Sequence, residues 1–126
     1  MSLGVVTRWG KWWGYGLQLQ SDKGENLSNF KDGFIHFEVR GDADVTFNMG
    51  FQTGLFLSGN LANNFVTFSP NHANSLSSQW TQYSFPLSQL DRGANFSDVT
   101  SPLYFWSDVT SDLKQIHIRN IYYSQK

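Results

Sequence analysis

The sequence predicts an all-β chain folded as an antiparallel β-sandwich. Large apolar residues alternate with polar ones at a period of two, in one short segment after another. Clusters rich in Gly, Asn, Asp and Ser separate those segments. Helical spacing of apolar residues does not recur. Regular short strands with polar turns and no helical interludes build sandwiches and jelly rolls.

The elements follow in order. "YGLQLQ" (15–20) alternates large apolar residues with Gly and Gln. "FIHFEVR" (34–40) sets Ile35, Phe37 and Val39 on one face and His36, Glu38 and Arg40 on the other. "DVTFNMGFQ" (44–52) sends Val45, Phe47, Met49 and Phe51 inward, and Thr46, Asn48, Gly50 and Gln52 outward. Gly41 to Ala43 join these two runs, which predicts a hairpin between them. "FVTFS" (65–69), "WTQYSFPL" (80–87), "PLYFW" (102–106) and "QIHIRNIYYS" (115–124) complete seven or eight strands. Nothing reads as a linker, so one domain is expected over 5–126. "MSLG" (1–4) reads as residues added ahead of it, without the apolar core of an export signal.

A chain of 126 residues buries about two-thirds of its unfolded surface and needs no covalent staple. Cysteine is absent, which excludes disulfides and thiolate chemistry. Net charge is −1, and charged residues make up only 15%. A nucleic-acid partner would call for a basic surplus, and none exists. No apolar run approaches the roughly 18 residues of a membrane span.

The aromatic content, 17%, stands out. Phe in a sandwich core explains much of it, but "RWGKWWGYGLQLQ" (8–20) threads Gly10, Gly14 and Gly16 between Trp9, Trp12, Trp13 and Tyr15. Adjacent residues of a strand point to opposite faces, so Trp12 and Trp13 cannot both be core. Parity with Leu17 and Leu19 sends Trp13 and Tyr15 inward and Trp12 outward, unless a bulge at a glycine shifts the register. Trp9 stays open. So does "LYFWSD", where either Tyr104 and Trp106 or Leu103 and Phe105 face out. Trp80 is assigned to structure, and one of Tyr122 and Tyr123 must face outward.

The polar faces of these strands carry few Lys or Glu. They carry Gln18, Gln20, His36, Arg40, Asn48, Gln52, Gln82 and His117. Most of these side chains both donate and accept hydrogen bonds, as sugar hydroxyls do. A sugar also has apolar C–H faces, which flat indole and phenol rings match at low entropic cost. Glycine neighbours leave such rings uncovered. Trp12, Trp9, Trp106 and Tyr104 are therefore candidate platforms, with Arg40, His36, Gln52, Asn48 and Gln18 as candidate hydroxyl partners.

Catalysis has little support. His36, Glu38 and Arg40 share a face, but a glycosidase needs two opposed carboxyl groups. Glu38 is the only acid well inside a strand of the polar face. Serine-hydrolase and zinc signatures are missing. "RGD" (40–42) reads as a turn, and His72, Asp22 and Glu25 as loop residues. Acidic turns could host calcium, but no spacing is diagnostic; no cofactor is expected.

Taken together, "YGLQLQSDKGENLSNFKDGFIHFEVRGD", "VTFNMGFQTG", "QWTQYSFPLSQL", "FSDVTSPLYFW" and "IHIRNIYYSQ" resemble non-catalytic carbohydrate-binding modules of the galactose-binding-like jelly-roll type, appended to bacterial β-glucan-degrading enzymes. "LSNFKDG", W-x-x-Y-x-F-P-L and the closing I-x-N-I-Y-Y are its most specific elements. The resemblance implies a secreted, monomeric module that holds β-linked glucan for an attached catalytic domain. It also implies a structural role for Trp80, and in many such modules a calcium held by an Asp just before the final Asn-Ile. Here that position is Arg119, a cation where an anion is wanted. Cello-oligosaccharide, mixed-linked β-1,3/1,4-glucan or xyloglucan is the expected ligand. A few stacking contacts and hydrogen bonds at ~1 kcal/mol each support micromolar to submillimolar binding. The competing readings are a structural accessory sandwich without a sugar site, and a small hydrolase.

Overall fold

The computed structural model describes residues 2–7, 13–17, 24–107 and 114–126. Eight strands run through them: β1 (Ser2–Thr7), β2 (Trp13–Leu17), β3 (Phe34–Gly41), β4 (Phe47–Thr53), β5 (Ala62–Phe68), β6 (Thr81–Pro86), β7 (Val99–Ser107) and β8 (Lys114–Ser124). They form two four-stranded antiparallel sheets, ordered β1-β8-β3-β6 and β2-β7-β4-β5. A single helical turn, α1 (Leu87–Leu90), drops Leu87 and Leu90 into the core. The fold is the expected β-sandwich.

Alternation decides which side chains fill the space between the sheets. Burial along β7 switches at every residue, with Val99, Ser101, Leu103, Phe105 and Ser107 inward. β3 contributes Ile35, Phe37 and Val39, and β8 contributes Ile116 and Ile118. Opposite them stand Phe47, Met49 and Phe51 of β4, with Val66 and Phe68 of β5. Aromatic rings cluster within this core: Phe68 stacks on Phe47 at 5.0 Å and meets Tyr83 edge-on at the same distance. Each such pair adds roughly 1 kcal/mol beyond the area it buries.

The sequence misleads in two places. The hairpin expected between 34–40 and 44–52 does not form, because β3 and β4 belong to opposite sheets. The chain at the turn is tied elsewhere. Gly41 N–H donates to Ser77 C=O (2.8 Å) and Asp42 N–H to Gln115 C=O (3.0 Å). The Asp42 carboxylate also accepts the Gln115 N–H (2.6 Å). Held against β8, the strand cannot fold back on itself, and buried Val45 carries the chain across the core. Period-two alternation reports which face is buried, and it holds equally for sheet neighbours and for strands facing each other across a core. Residues 2–4, set outside the fold by the sequence, take strand positions, with Ser2, Leu3 and Gly4 in register with Arg119, Ile118 and His117.

Candidate functional site

The outer face of β2-β7-β4-β5 collects most of the sequence candidates that the structure describes. In β7, Leu103 and Phe105 are buried, so Tyr104 and Trp106 are the outward pair. Register then sets their neighbours. Trp106 lies between Gly14 of β2 and Asn48 of β4, and Asn48 lies beside Thr67 of β5. Tyr104 lies between Gly16 and Gly50, with Phe65 beyond. Three of the four positions flanking the two rings are therefore glycine.

At Gly16 and Gly50 the absence of a side chain is sterically required. A Cβ on Gly16 would come within 2.5 Å of Tyr104 Cδ2, and one on Gly50 within 1.7 Å of the Asn64 carbonyl. With no side chain at Gly50, Phe65 and Trp106 meet edge-to-face with centroids 5.2 Å apart. Arg92 lays its guanidinium over Phe65, 4.1 Å from the ring centroid. Buried Asn64 fixes the Arg92 main chain by accepting its N–H at 2.7 Å. Tyr104 and Trp106, two residues apart in one strand, stand about 6.8 Å apart along it. The result is a strip of rings across three strands.

Amides flank the strip. Thr67 Oγ1 donates to Asn48 Oδ1 (2.5 Å), and Gln52 Nε2 donates to Asn63 Oδ1 (2.8 Å). Each pair settles one hydrogen bond and leaves Asn48 Nδ2, Gln52 Oε1 and Asn63 Nδ2 with no partner among the described residues. Partial burial pushes the Tyr104 phenol above its ordinary pKa, so it stays a neutral donor and acceptor. Beyond Gln52 and Asn63, the β4–β5 connection exposes Phe56 (81%) and Leu57 (97%).

The remaining candidates lie elsewhere. His36 and Arg40 are on the opposite sheet. Both ring nitrogens of His36 are engaged, with Ser84 Oγ and Ser124 Oγ at 2.7 Å. Arg40 reaches over Trp80 (5.1 Å), which Arg119 covers more closely at 3.9 Å. Trp80 thus has a packing role, outside the hydrophobic core. Arg119 Nε also donates to Glu38 Oε2 (2.6 Å), and this bond holds the Glu38 carboxyl below the usual carboxylate range. A corner occupied by an ion-paired guanidinium does not fit the calcium suggested there. Trp9, Trp12 and Gln18 lie outside the described residues. Trp13 and Tyr15 register with Ser107 and Phe105 of β7. Tyr122 is the outward member of its pair, and Tyr123 is largely buried, donating to Pro102 C=O at 2.6 Å.

Phe65, Asn63, Thr67 and Arg92 were not among the sequence candidates. Phe65 and Thr67 share a parity in "FVTFS" and the signal was available; Asn63 precedes that run, and Arg92, in a turn, gave none.

A rigid two-sheet frame presenting an open face of rings and amides is the build of a binding module. The chain belongs to the carbohydrate-binding domain 30 family, whose sequence model matches residues 2–125. It is a carbohydrate-binding module, a non-catalytic domain. Solved structures agree on the fold. The family 30 module of a cellulosomal cellulase of Clostridium thermocellum matches with a TM-score of 0.79 at 20% identity, covering 99% of this chain and 75% of that one. Another family 30 module matches at 0.75 and 19% identity, covering 98% and 76%. A family 11 module of C. thermocellum, solved with a β-1,3-1,4-mixed-linked tetrasaccharide, matches at 0.68 and 10% identity, covering 98% and 82%. No curated protein sequence matches.

Proposed function

We propose that the outer face of β2-β7-β4-β5 holds an extended β-linked glucan, of the cello-oligosaccharide or mixed-linked β-1,3/1,4 kind, and tethers an attached glycoside hydrolase to it outside the cell. The observation that carries this reading is the glycine-flanked strip of Tyr104, Trp106 and Phe65. Pyranose rings lie with their C–H faces on aromatic rings, and the amides of Asn48, Gln52 and Asn63 meet the hydroxyl edge. Trp106 offers the largest area, and Tyr104 adds a phenol that stays protonated. Arg92 holds Phe65 in place and directs donors toward the same face.

Several observations support an extended chain over a single terminal sugar. The strip crosses three strands, and the connection that follows Gln52 exposes two further large apolar side chains, Phe56 and Leu57. The family 11 relative was solved with a mixed-linked tetrasaccharide, and a family 30 relative is part of a cellulosomal cellulase. That second likeness supports an extracellular setting and a catalytic neighbour. Trp12, Trp9 and Gln18 remain candidate contributors from the segment next to β2. No cofactor enters the proposal.

Binding is expected at micromolar to submillimolar affinity with little salt dependence, since no charge is matched. Affinity electrophoresis against β-glucan, xyloglucan, xylan, mannan and galactan tests it. Retardation by the glucans is expected. Mobility unchanged by every β-glucan, or retarded only by mannan or galactan, would overturn it.

A further inference from the structure

The opposite outer face holds a second arrangement that the glucan strip does not use. β8 carries one residue more than β3 opposite it: register passes from His36–Tyr122 to Glu38–Arg119, two residues of β3 against three of β8. This bulge puts Asn120 in the left-handed region at φ 54°. Asn tolerates that conformation better than most residues, and bulges of this kind re-aim side chains. The consequence here is a cavity of about 350 Å³ over the sheet, lined by His36, Glu38, Gln82, Asn120 and Tyr122 among others. Small-molecule sites begin at roughly 300 Å³.

The lining is chemically specific. Tyr122 is 52% exposed. One side of its ring stacks on His36, with centroids 4.4 Å apart and planes 18° from parallel. The two serine hydroxyls that clasp His36 fix the angle of that stack. β1 pairs with β8 only as far as Arg119, so among the described residues no strand flanks Tyr122 on its other side. Glu38 is held through one oxygen alone: Arg119 Nε (2.6 Å) and Asn120 Nδ2 (2.9 Å) both donate to Oε2. Glu38 Oε1, Asn120 Oδ1 and both polar atoms of the Gln82 amide have no partner among the described residues. An oriented carboxylate oxygen, two amide groups and a ring backed on one side converge on one space.

The geometry points to a second carbohydrate site here, independent of the glucan strip, that takes a single neutral pyranose ring. The ring lies on Tyr122, and its hydroxyls donate to Glu38 Oε1 and Asn120 Oδ1 and pair with the Gln82 amide. Neighbouring hydroxyls of a sugar match a carboxylate oxygen beside an amide; an anionic ligand would face Glu38. One module would then hold two glycan segments on opposite faces, and on a dense polysaccharide the second contact acts at the effective concentration set by the first. The idea rests on the chain being a carbohydrate-binding module, and not on the strip being its glucan site.

Amide NMR titration of the whole chain with cellobiose separates the two. Shifts at Asn48 and Gln52 report the strip; shifts at Glu38, Gln82 and Asn120 report the second site. The second group is expected to shift with its own, weaker, millimolar midpoint. Tyr122→Leu should weaken that midpoint roughly tenfold while sparing the first group. Gln82→Ala, at an exposed amide with no partner to lose, should weaken it about threefold to fivefold without touching the fold. Absence of the second set of shifts, or its persistence unchanged in both variants, would overturn the second site. Shifts in the second set without the first would sustain it and overturn the glucan strip.

Discussion

The outer faces of the two sheets are built from the same alternation and behave differently. On β1-β8-β3-β6 three long charged side chains are spent on one another and on an aromatic ring. Glu38 pairs with Arg119, and Arg119 and Arg40 cover Trp80. On β2-β7-β4-β5 the polar groups are neutral amides with capacity left over, and Gly16 leaves room for the Tyr104 ring. One face is largely satisfied by itself, apart from the hollow at the β8 bulge. The other keeps that capacity, which the proposed glucan site would use. What separates a binding surface from a merely polar one is therefore the hydrogen-bonding and stacking capacity that remains after folding.

That contrast can be broken. The largest loss should come from replacing both strip rings: Tyr104→Ala with Trp106→Ala should abolish measurable retention in a β-glucan gel. Trp106→Ala alone should cost about 2 kcal/mol, roughly thirtyfold in Kd by calorimetry. Gly16→Val should weaken binding about tenfold without touching a ligand contact, because its side chain must displace the Tyr104 ring. A variant that stays folded by circular dichroism and binds as well as the wild type would show that the glycines serve something else. Gln52→Ala is smaller, about 1 kcal/mol or fivefold.

The charged face should answer to pH and the strip should not. The Glu38 carboxyl titrates below its ordinary value of 4.5 because Arg119 bonds its charged form. A group whose folded pKa is depressed adds stability above its unfolded pKa and loses it as pH falls through the folded one. Thermal melts should therefore show a small loss below about pH 4.5, which Glu38→Gln removes. Glucan affinity, carried by neutral amides and a phenol raised above its ordinary pKa, should stay flat between about pH 6 and pH 9.

Much of this was legible in the chain, for a physical reason. Alternation located seven of the eight strands, though the segment 15–20 meets β2 only at Tyr15–Leu17, and it assigned the outward side of β3 and β4 correctly, because burial is a property of each strand alone. It left Tyr104/Trp106 against Leu103/Phe105 undecided, since both pairs are large and apolar enough for a core; the burial of Leu103 and Phe105 between the sheets decided it. Sheet membership was not legible, as the misassigned hairpin shows: it depends on ties from Gly41 and Asp42 to Ser77 and Gln115, far away in sequence. His36 and Arg40 looked equivalent to Asn48 and Gln52 because composition cannot tell on which sheet a polar side chain stands or how much of its bonding capacity folding takes up. Trp80 was assigned to structure, but its partners were not legible: the two guanidinium groups above the ring come from β3 and β8. Asn120 and its bulge had no signature beyond a residue that tolerates positive φ.

The most direct test of the account is a crystal structure of the module with a β-linked glucotetraose. The sugar chain should run over Tyr104, Trp106 and Phe65, with at least one pyranose ring flat against an aromatic face and hydroxyls within hydrogen-bonding distance of Asn48, Gln52 or Asn63. A well-ordered tetrasaccharide seated on other surfaces, with those three rings bare, would contradict it.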